Sequence, residues 1–295
     1  MINLNANRIE VRREAKGQIR YEFPADVSVL GAGGGGGSTA VNATYLGGGG
    51  AGSLVSSSIL LVPNINYDFT IPAGGTAGSN GSDTTFEPYT VDFFTSQSIV
   101  AGGGKPGTLN GGNSGTGSLT IGGSTTTISG FTGGTGLDVG GEQYGGGGAG
   151  NNDNGGNAVF NTSPSDSDGG NGGEGQTPVS TFSVPENGGG GGGGVSSALS
   201  AFGPGADGGG DGGDGGNGTS ATRNGSGGGG PNASGGAGAV YVTFIGKIGK
   251  GRYEYDIEVT NGTTEYNSGA NRTLIKFETP GAASFRYTAP FPPPL

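Results

Sequence analysis

Two patterns of hydrophobic and polar positions share this chain. The first is alternation. Ile9 and Val11 alternate with Arg8, Glu10 and Arg12, and Ile19, Tyr21 and Phe23 alternate with Gln18, Arg20 and Glu22. Ala15-Lys16-Gly17 separates the two stretches, so 8–23 reads as a β-hairpin. Pro24 begins a new pattern, with Val27-Ser28-Val29-Leu30 as a short strand. A longer strand covers 54–62, Pro63-Asn64 turns the chain, and Tyr67-Asp68-Phe69-Thr70-Ile71 returns. Ala239-Val240-Tyr241-Val242-Thr243-Phe244-Ile245 is the clearest strand. In the tail, Tyr253, Tyr255, Ile257 and Val259 alternate with Arg252, Glu254, Asp256 and Glu258, just before Asn261-Gly262. That dipeptide is the strongest short hairpin signal. Strand-like stretches at 263–267, 272–278 and 284–288 complete a four-strand module over 247–295. Domains of ~60 residues are already marginal alone, so this smaller module needs something to pack on.

The second pattern is glycine. Runs fall at 31–37, 47–52, 102–104, 145–150, 188–194 and 227–230, with short excursions such as 178–186 and 195–202 between them. No helical periodicity or capping pattern interrupts them. In Asp168-Gly-Gly-Asn171-Gly-Gly-Glu174, and again in Asp211-Gly-Gly-Asp214-Gly-Gly-Asn217, the non-glycine residue recurs every third position. Three is the turn period of a polyproline-II-type helix. Such a helix makes no internal hydrogen bonds, and two of its three faces are bare backbone, so neighbouring helices can approach closely and exchange N–H···O=C bonds. A disordered linker is the competing reading, since ordering each residue costs roughly 1–2 kcal/mol. The ladders, and the aliphatic strands recurring between the runs, favour a packed bundle. The expected fold is therefore all-β and irregular. Short strands flank a polyglycine-II bundle, with a small antiparallel module at the C-terminus and essentially no α-helix. The expected divisions are 1–23, a hairpin and attachment segment; 24–246, the glycine-rich domain; and 247–295, the β module.

Composition sharpens this. Of 295 residues 75 are Gly, about a quarter against a usual ~7%, and only 30% are hydrophobic. There is no His, Cys or Trp. That removes the commonest general base and metal ligand, the thiol nucleophile and the disulfide. With no disulfide staple, the chain is expected to be oligomeric or docked in a larger assembly. The net charge of -10 is unevenly placed: residues 21–246 hold sixteen acids against Lys105 and Arg223 alone. An acidic body argues against a nucleic-acid partner. No apolar stretch approaches ~18 residues, so membrane insertion is not expected, and the N-terminal segment has no ordinary signal peptide.

Candidate chemistry is sparse. The Asp/Asn ladder at 207–217 invites calcium, but same-face positions three apart lie ~9 Å from one another, and no nonapeptide repeats. Gly-x-Gly-x-x-Gly occurs only because glycine is everywhere, and no helix follows it. Nothing selects a catalytic carboxylate pair. The expectation is a non-enzymatic protein without cofactors or metals. Phe86, Tyr89, Phe93 and Phe94 form the densest aromatic patch. It is either a satellite core beneath a loop or an exposed binding tip.

The sequence Phe23-Pro24-Ala25-Asp26-Val27 leading into Gly31-Ala32-Gly33-Gly34-Gly35-Gly36-Gly37 resembles the opening of the glycine-rich domains of phage tail proteins. So do the 54–71 strand pair with Ile71-Pro72-Ala73-Gly74-Gly75, and the close Gly235-Gly236-Ala237-Gly238-Ala239-Val240-Tyr241-Val242-Thr243-Phe244. The likeness covers about 21–246. It implies a polyglycine-II sandwich, as in phage long-tail-fibre adhesins, whose loops between glycine runs contact a host-surface receptor. Phe182 and Phe202, in two such loops, therefore join Phe86, Tyr89, Phe93 and Phe94 as receptor-binding candidates. The implied partners are other virion tail subunits and a host cell-surface receptor, protein or glycan. The implied location is the virion, the protein being made in host cytoplasm. A purely structural virion connector or decoration protein is the rival expectation, and an ice-binding protein on the same glycine packing the next. The isolated Ser124-Thr125-Thr126-Thr127 cluster gives the latter little support.

Overall fold

The computed structural model describes residues 10–13, 19–40, 43–44, 46–88, 97–161, 168–196, 200–246 and 256–288. Among them there is no helix. In chain order the strands are β1 (Glu10–Arg13), β2 (Ile19–Leu30), β3 (Thr39–Ala40), β4 (Ala43–Thr44), β5 (Leu54–Leu61), β6 (Asn66–Ile71), β7 (Thr84–Phe86), β8 (Gln97–Ala101), β9 (Gly117–Ile121), β10 (Ser124–Ile128), β11 (Leu137–Val139), β12 (Glu142–Tyr144), β13 (Ala239–Ile245), β14 (Asp256–Thr260), β15 (Thr263–Asn267), β16 (Arg272–Phe277) and β17 (Gly281–Thr288).

One sheet runs β5-β2-β13-β16-β15, with β1 added along the early part of β2. A second is β14-β17-β6, and a third is β10-β9-β8-β7; every pairing is antiparallel. Alternation explains the core they share. On β6, Tyr67, Phe69 and Ile71 are buried while Asn66, Asp68 and Thr70 are exposed. These meet Phe285 and Tyr287 of β17, Val240, Val242 and Phe244 of β13, and Ile275 and Phe277 of β16. Tyr67 stacks on Phe285 at 4.9 Å, and Phe69 meets Phe277 edge to face at 4.8 Å across the two sheets. Such aromatic pairs add ~0.5–1.5 kcal/mol beyond their burial. The other face of β13 is also covered: Tyr241, Leu30 and Leu274 pack under Phe182, Val184 and Val179.

Several strands are where alternation puts them, but with different partners. Pro24 does not end a strand: β2 continues through it. There Pro24 lies opposite Leu60 of β5 and outside the stretches paired to β1 and β13, which end at Glu22 and begin at Asp26. Pro63-Asn64 and Asn261-Gly262 are not hairpin turns. Each carries the chain from one sheet to the other: β5 pairs β2 while β6 pairs β17, and β14 pairs β17 while β15 pairs β16. Asn64 and Asn261 supply the left-handed corners, at φ 64° and 56°. Tyr67 Oη donates to the Val62 carbonyl at 3.1 Å and accepts its N–H at 2.6 Å, which fixes the first corner. The tail strands are thus divided between two sheets of the body.

The glycine runs continue from the sheet. Leu30 pairs with Leu54 and Ala239, and the next residue, Gly31, already bonds to Ser53. From there the partners change with a period of three. The N–H groups of Gly31, Gly34 and Gly37 go to Ser53, Gly50 and Gly47; those of Ala32 and Gly35 to Ser82 and Ser79; those of Gly33 and Gly36 to Gly236 and Ala233. Three directions per turn is the signature of a polyglycine-II helix. The run 46–53 shows the interior case. It donates to 102–108, 146–149 and 225–228, and accepts from 31–37, 191–194 and 112–115. Six neighbours surround one rod, and an added Cβ at Gly48, Gly190 or Gly193 would overlap a neighbour's carbonyl. The third-position ladder obeys the same geometry: Asp168, Asn171 and Glu174 are exposed, and the glycines between them face neighbouring backbone.

Candidate binding surface at the distal loops

Hydrogen-bond direction gives the bundle two ends. Runs leave the sandwich and return to it alternately: 145–151 is antiparallel to 188–194, whereas 170–173 runs parallel to 145–148, and 210–213 parallel to 227–230. One end is therefore the sandwich. The described residues of the other end are 38–40, 43–44, Leu46, 76–79, 108–110, 137–144, 158–161, 168, 195–196, 200–202, 214–217 and 231–232.

Single bridges knit this distal end. Tyr144 pairs Val195, which pairs Asp214, while Val159 pairs Asp168, which pairs Ala201. Tyr144, Ala158 and Val195 form a small buried cluster, with Leu137 packed on it. The β11–β12 hairpin projects beyond it and is braced to the next loop. The Gln143 N–H donates to Ser196 Oγ at 2.8 Å, and Ser196 Oγ donates to Glu142 Oε2 at 2.9 Å. Phe160 lies against Tyr144 with ring centroids 5.8 Å apart.

Around this cluster the surface is apolar and acidic. Val139, Val159, Phe160 and Phe202 are 36%, 48%, 37% and 40% exposed, so four of the large exposed apolar side chains share one end of the molecule. Asp138, Asp168 and Asp214 are exposed beside them and Glu142 is half-buried. None of the described distal residues is basic.

The residues singled out in the sequence divide. Phe202 belongs to the distal surface. Phe86 is in the sandwich core, against Phe69 at 5.5 Å and Phe285 at 6.2 Å, and is 1% exposed. Phe182 is buried on the outer face of the first sheet, at the sandwich end. Tyr89, Phe93 and Phe94 lie outside the described residues. Sequence reading missed Val139, Val159 and Phe160. Their signal was an apolar group such as Ala158-Val159-Phe160 following a run that heads away from the sandwich.

Elsewhere, polar chemistry is structural. Burial and the nearby Glu278 charge push the Tyr241 phenol well above its ordinary value, and its Oη donates to Glu278 Oε1 at 2.9 Å. A hydrogen bond to Asp207, and that residue's charge, raise Glu186 above its ordinary 4.5. Among the described residues, no three His, Cys, Asp or Glu side chains are placed to hold a metal ion.

The model of one family, a glycine-rich domain, matches residues 14–245. The chain belongs to that glycine-rich domain family. No curated protein matches it, and no solved structure does. The matched span runs from just after β1 to the end of β13. It therefore takes in all of the bundle but stops short of β14–β17, although those strands complete two of the domain's sheets.

Proposed function

We propose that this chain is a phage virion protein, a tail-fibre or tail-tip component, whose glycine-rich body presents its distal loops to a host-surface receptor. The observation that carries this reading is the placement of Val139, Val159, Phe160 and Phe202 together at the end opposite the sandwich. Exposed aromatic groups on a rigid support make recognition anchors at low entropic cost. Rods bonded to six neighbours are such a support. The resemblance to phage tail glycine-rich domains supplies the virion setting. The opposite end, where β1 and the tail strands lie, then faces the other tail subunits.

The charge of the surface narrows the receptor. Four acids and no base among the described distal residues disfavour a phosphate-rich glycan and favour an envelope protein with an apolar, neutral or basic patch. In the test, purified protein is incubated with envelope fractions of candidate hosts and retention is measured beside a Phe160→Ser/Phe202→Ser variant. Retention of the parent from a susceptible host, reduced at least tenfold in the variant, is expected, since two anchors at ~1 kcal/mol or more each reach that factor. Equal retention of both proteins would count against the distal surface as the contact.

A further inference from the structure

We propose that β10 is a self-association edge: a second copy of this chain pairs with it antiparallel, about a two-fold axis at Thr126. This does not rest on the receptor reading and concerns the sandwich end of the molecule.

An outer strand with free N–H and C=O groups is a template for another strand unless something guards it. In the sheets of three or more strands, the other outer strands are guarded. β1, β14 and β15 carry charged residues, among them Arg12, Glu258 and Glu265, while β5 lies against β8 and β9, and β7 against β6. β10 is Ser124-Thr125-Thr126-Thr127-Ile128, with neither charge nor proline, and its first four residues are exposed. Among the described residues, no backbone group of 124–128 bonds outside the β9–β10 ladder. Nor is there a charged residue anywhere between Lys105 and Asp138. On a molecule of net charge -10, an edge within an uncharged stretch adds no like-charge repulsion of its own to the approach of two copies.

The register selects the pairing. Gly122-Gly123, at φ 59° and 80°, makes a two-residue turn of the type that fits hairpin twist. Ser124 therefore exchanges hydrogen bonds with Ile121, and Thr126 with Leu119, whereas Thr125 and Thr127 turn their N–H and C=O groups outward. Antiparallel pairing centred on Thr126 sets Thr125 opposite Thr127 of the second copy and the converse, so all the outward groups are used. Thr–Thr contact is already present in this hairpin: Thr120 Oγ1 and Thr125 Oγ1 are 2.9 Å apart. Ile121, 43% exposed, and the half-buried Leu119 and Ile128 share one face of the hairpin, which the second copy would extend.

Five residues of edge bury far less than the ~1,200 Å² of a stable complex, so the association is weak, reversible and seen at high concentration. Added salt strengthens it, because like charge is screened. Sedimentation equilibrium is measured on the full chain from about 10 μM to about 1 mM, beside Thr127→Pro, which deletes an outward N–H that the β9 ladder does not use. The expected result is a rising mass for the parent and a monomer for the variant. In the parent, amide exchange at Thr125 and Thr127 should slow about tenfold with concentration while Thr126, bonded to β9, does not change. A parent that stays monomeric to ~1 mM overturns the proposal, as does a dimer that leaves Thr125 and Thr127 exchange unaltered or persists in Thr127→Pro.

Discussion

The sandwich and the glycine bundle are continuous in chain yet ordered by different means. In the sandwich, hydrogen bonds lie in two directions about each strand, and the two remaining directions hold side chains such as Phe69 and Phe285. In the bundle, bonds leave each rod in three directions and arrive from three more, as around 46–53, and little room remains for a side chain beyond a methyl such as that of Ala51. Order is then bought with backbone bonds and close backbone contact alone. The difference teaches where variation can enter. A sandwich tolerates hydrophobic exchange of similar volume, whereas an interior rod admits little besides glycine and an occasional alanine such as Ala32, Ala51 or Ala149, and most freedom is displaced to the turns at its ends.

The comparison breaks most sharply at the glycines. Gly191 sits mid-run, where an added Cβ would overlap the Gly228 carbonyl, and its N–H bonds to Gly49 at 3.0 Å. Gly191→Val should cost more than ~3 kcal/mol and abolish the cooperative thermal transition, because backbone on every side cannot retreat as a side chain can. Asp214→Ser, exposed at the distal end, should melt like the parent. Equal melting of Gly191→Val would mean that the runs are only loosely packed. The sandwich counterpart is Phe285→Ala, which removes a ring touching Tyr67, Phe86 and Phe277. It should cost ~3–5 kcal/mol by leaving a cavity between the sheets, measured by denaturant unfolding. A variant that loses the sandwich's near-ultraviolet aromatic signal but keeps slow exchange across 188–194 would show that the bundle stands without it.

How much of this was legible follows the same division. Period-two alternation marks β6, β14 and β17, which turn one face inward, and a continuous apolar run marks β13, which is covered on both faces, but neither signal names partners. Asn261-Gly262 has the composition of a hairpin turn and instead makes a corner, since β14 turns Ile257 and Val259 to the core and pairs β17, while the largely exposed β15 pairs β16 in the other sheet. The third-position ladder at 168–174 announces its rods correctly, because it depends on local geometry alone. The β9–β10 and β11–β12 hairpins were hidden, as their Gly-Gly turns look like any other glycine pair in this background. For the binding surface, aromatic density pointed to Phe86, a core residue. Parity was the better guide: runs alternate outward and inward, so 195–202 falls at the distal end and 178–186 at the sandwich end. That separates Phe202 from Phe182 without coordinates.

The smallest expected effect lies where the bundle meets water. A surface rod lacks some neighbours, and its N–H groups need other acceptors. Along 130–136 asparagine side chains supply them. Asn113 and Asn110 Oδ1 accept from Gly133 at 3.0 Å and Gly136 at 2.9 Å, and Asn154 and Asn157 Oδ1 accept from Thr132 at 2.9 Å and Thr135 at 2.8 Å. Both pairs are three residues apart, so they keep the rod's own period. Asp207 and Asp211 play the same part for Gly175 and Gly205. The Asx ladders thus stand in for absent rods, which explains their recurrence without any ion. Asn113→Ala should therefore cost only about 1 kcal/mol, since Asn113 is exposed and water replaces the lost acceptor. Asn113→Asp should cost less, because a carboxylate accepts the same bond. Amide exchange gives the local readout. Gly133 should exchange faster in Asn113→Ala, while Gly134, bonded to the Gly147 carbonyl at 2.8 Å, should not change. If Asn113→Asp accelerates Gly133 as much as Asn113→Ala, the acceptor role fails and the amide group must act in some other way.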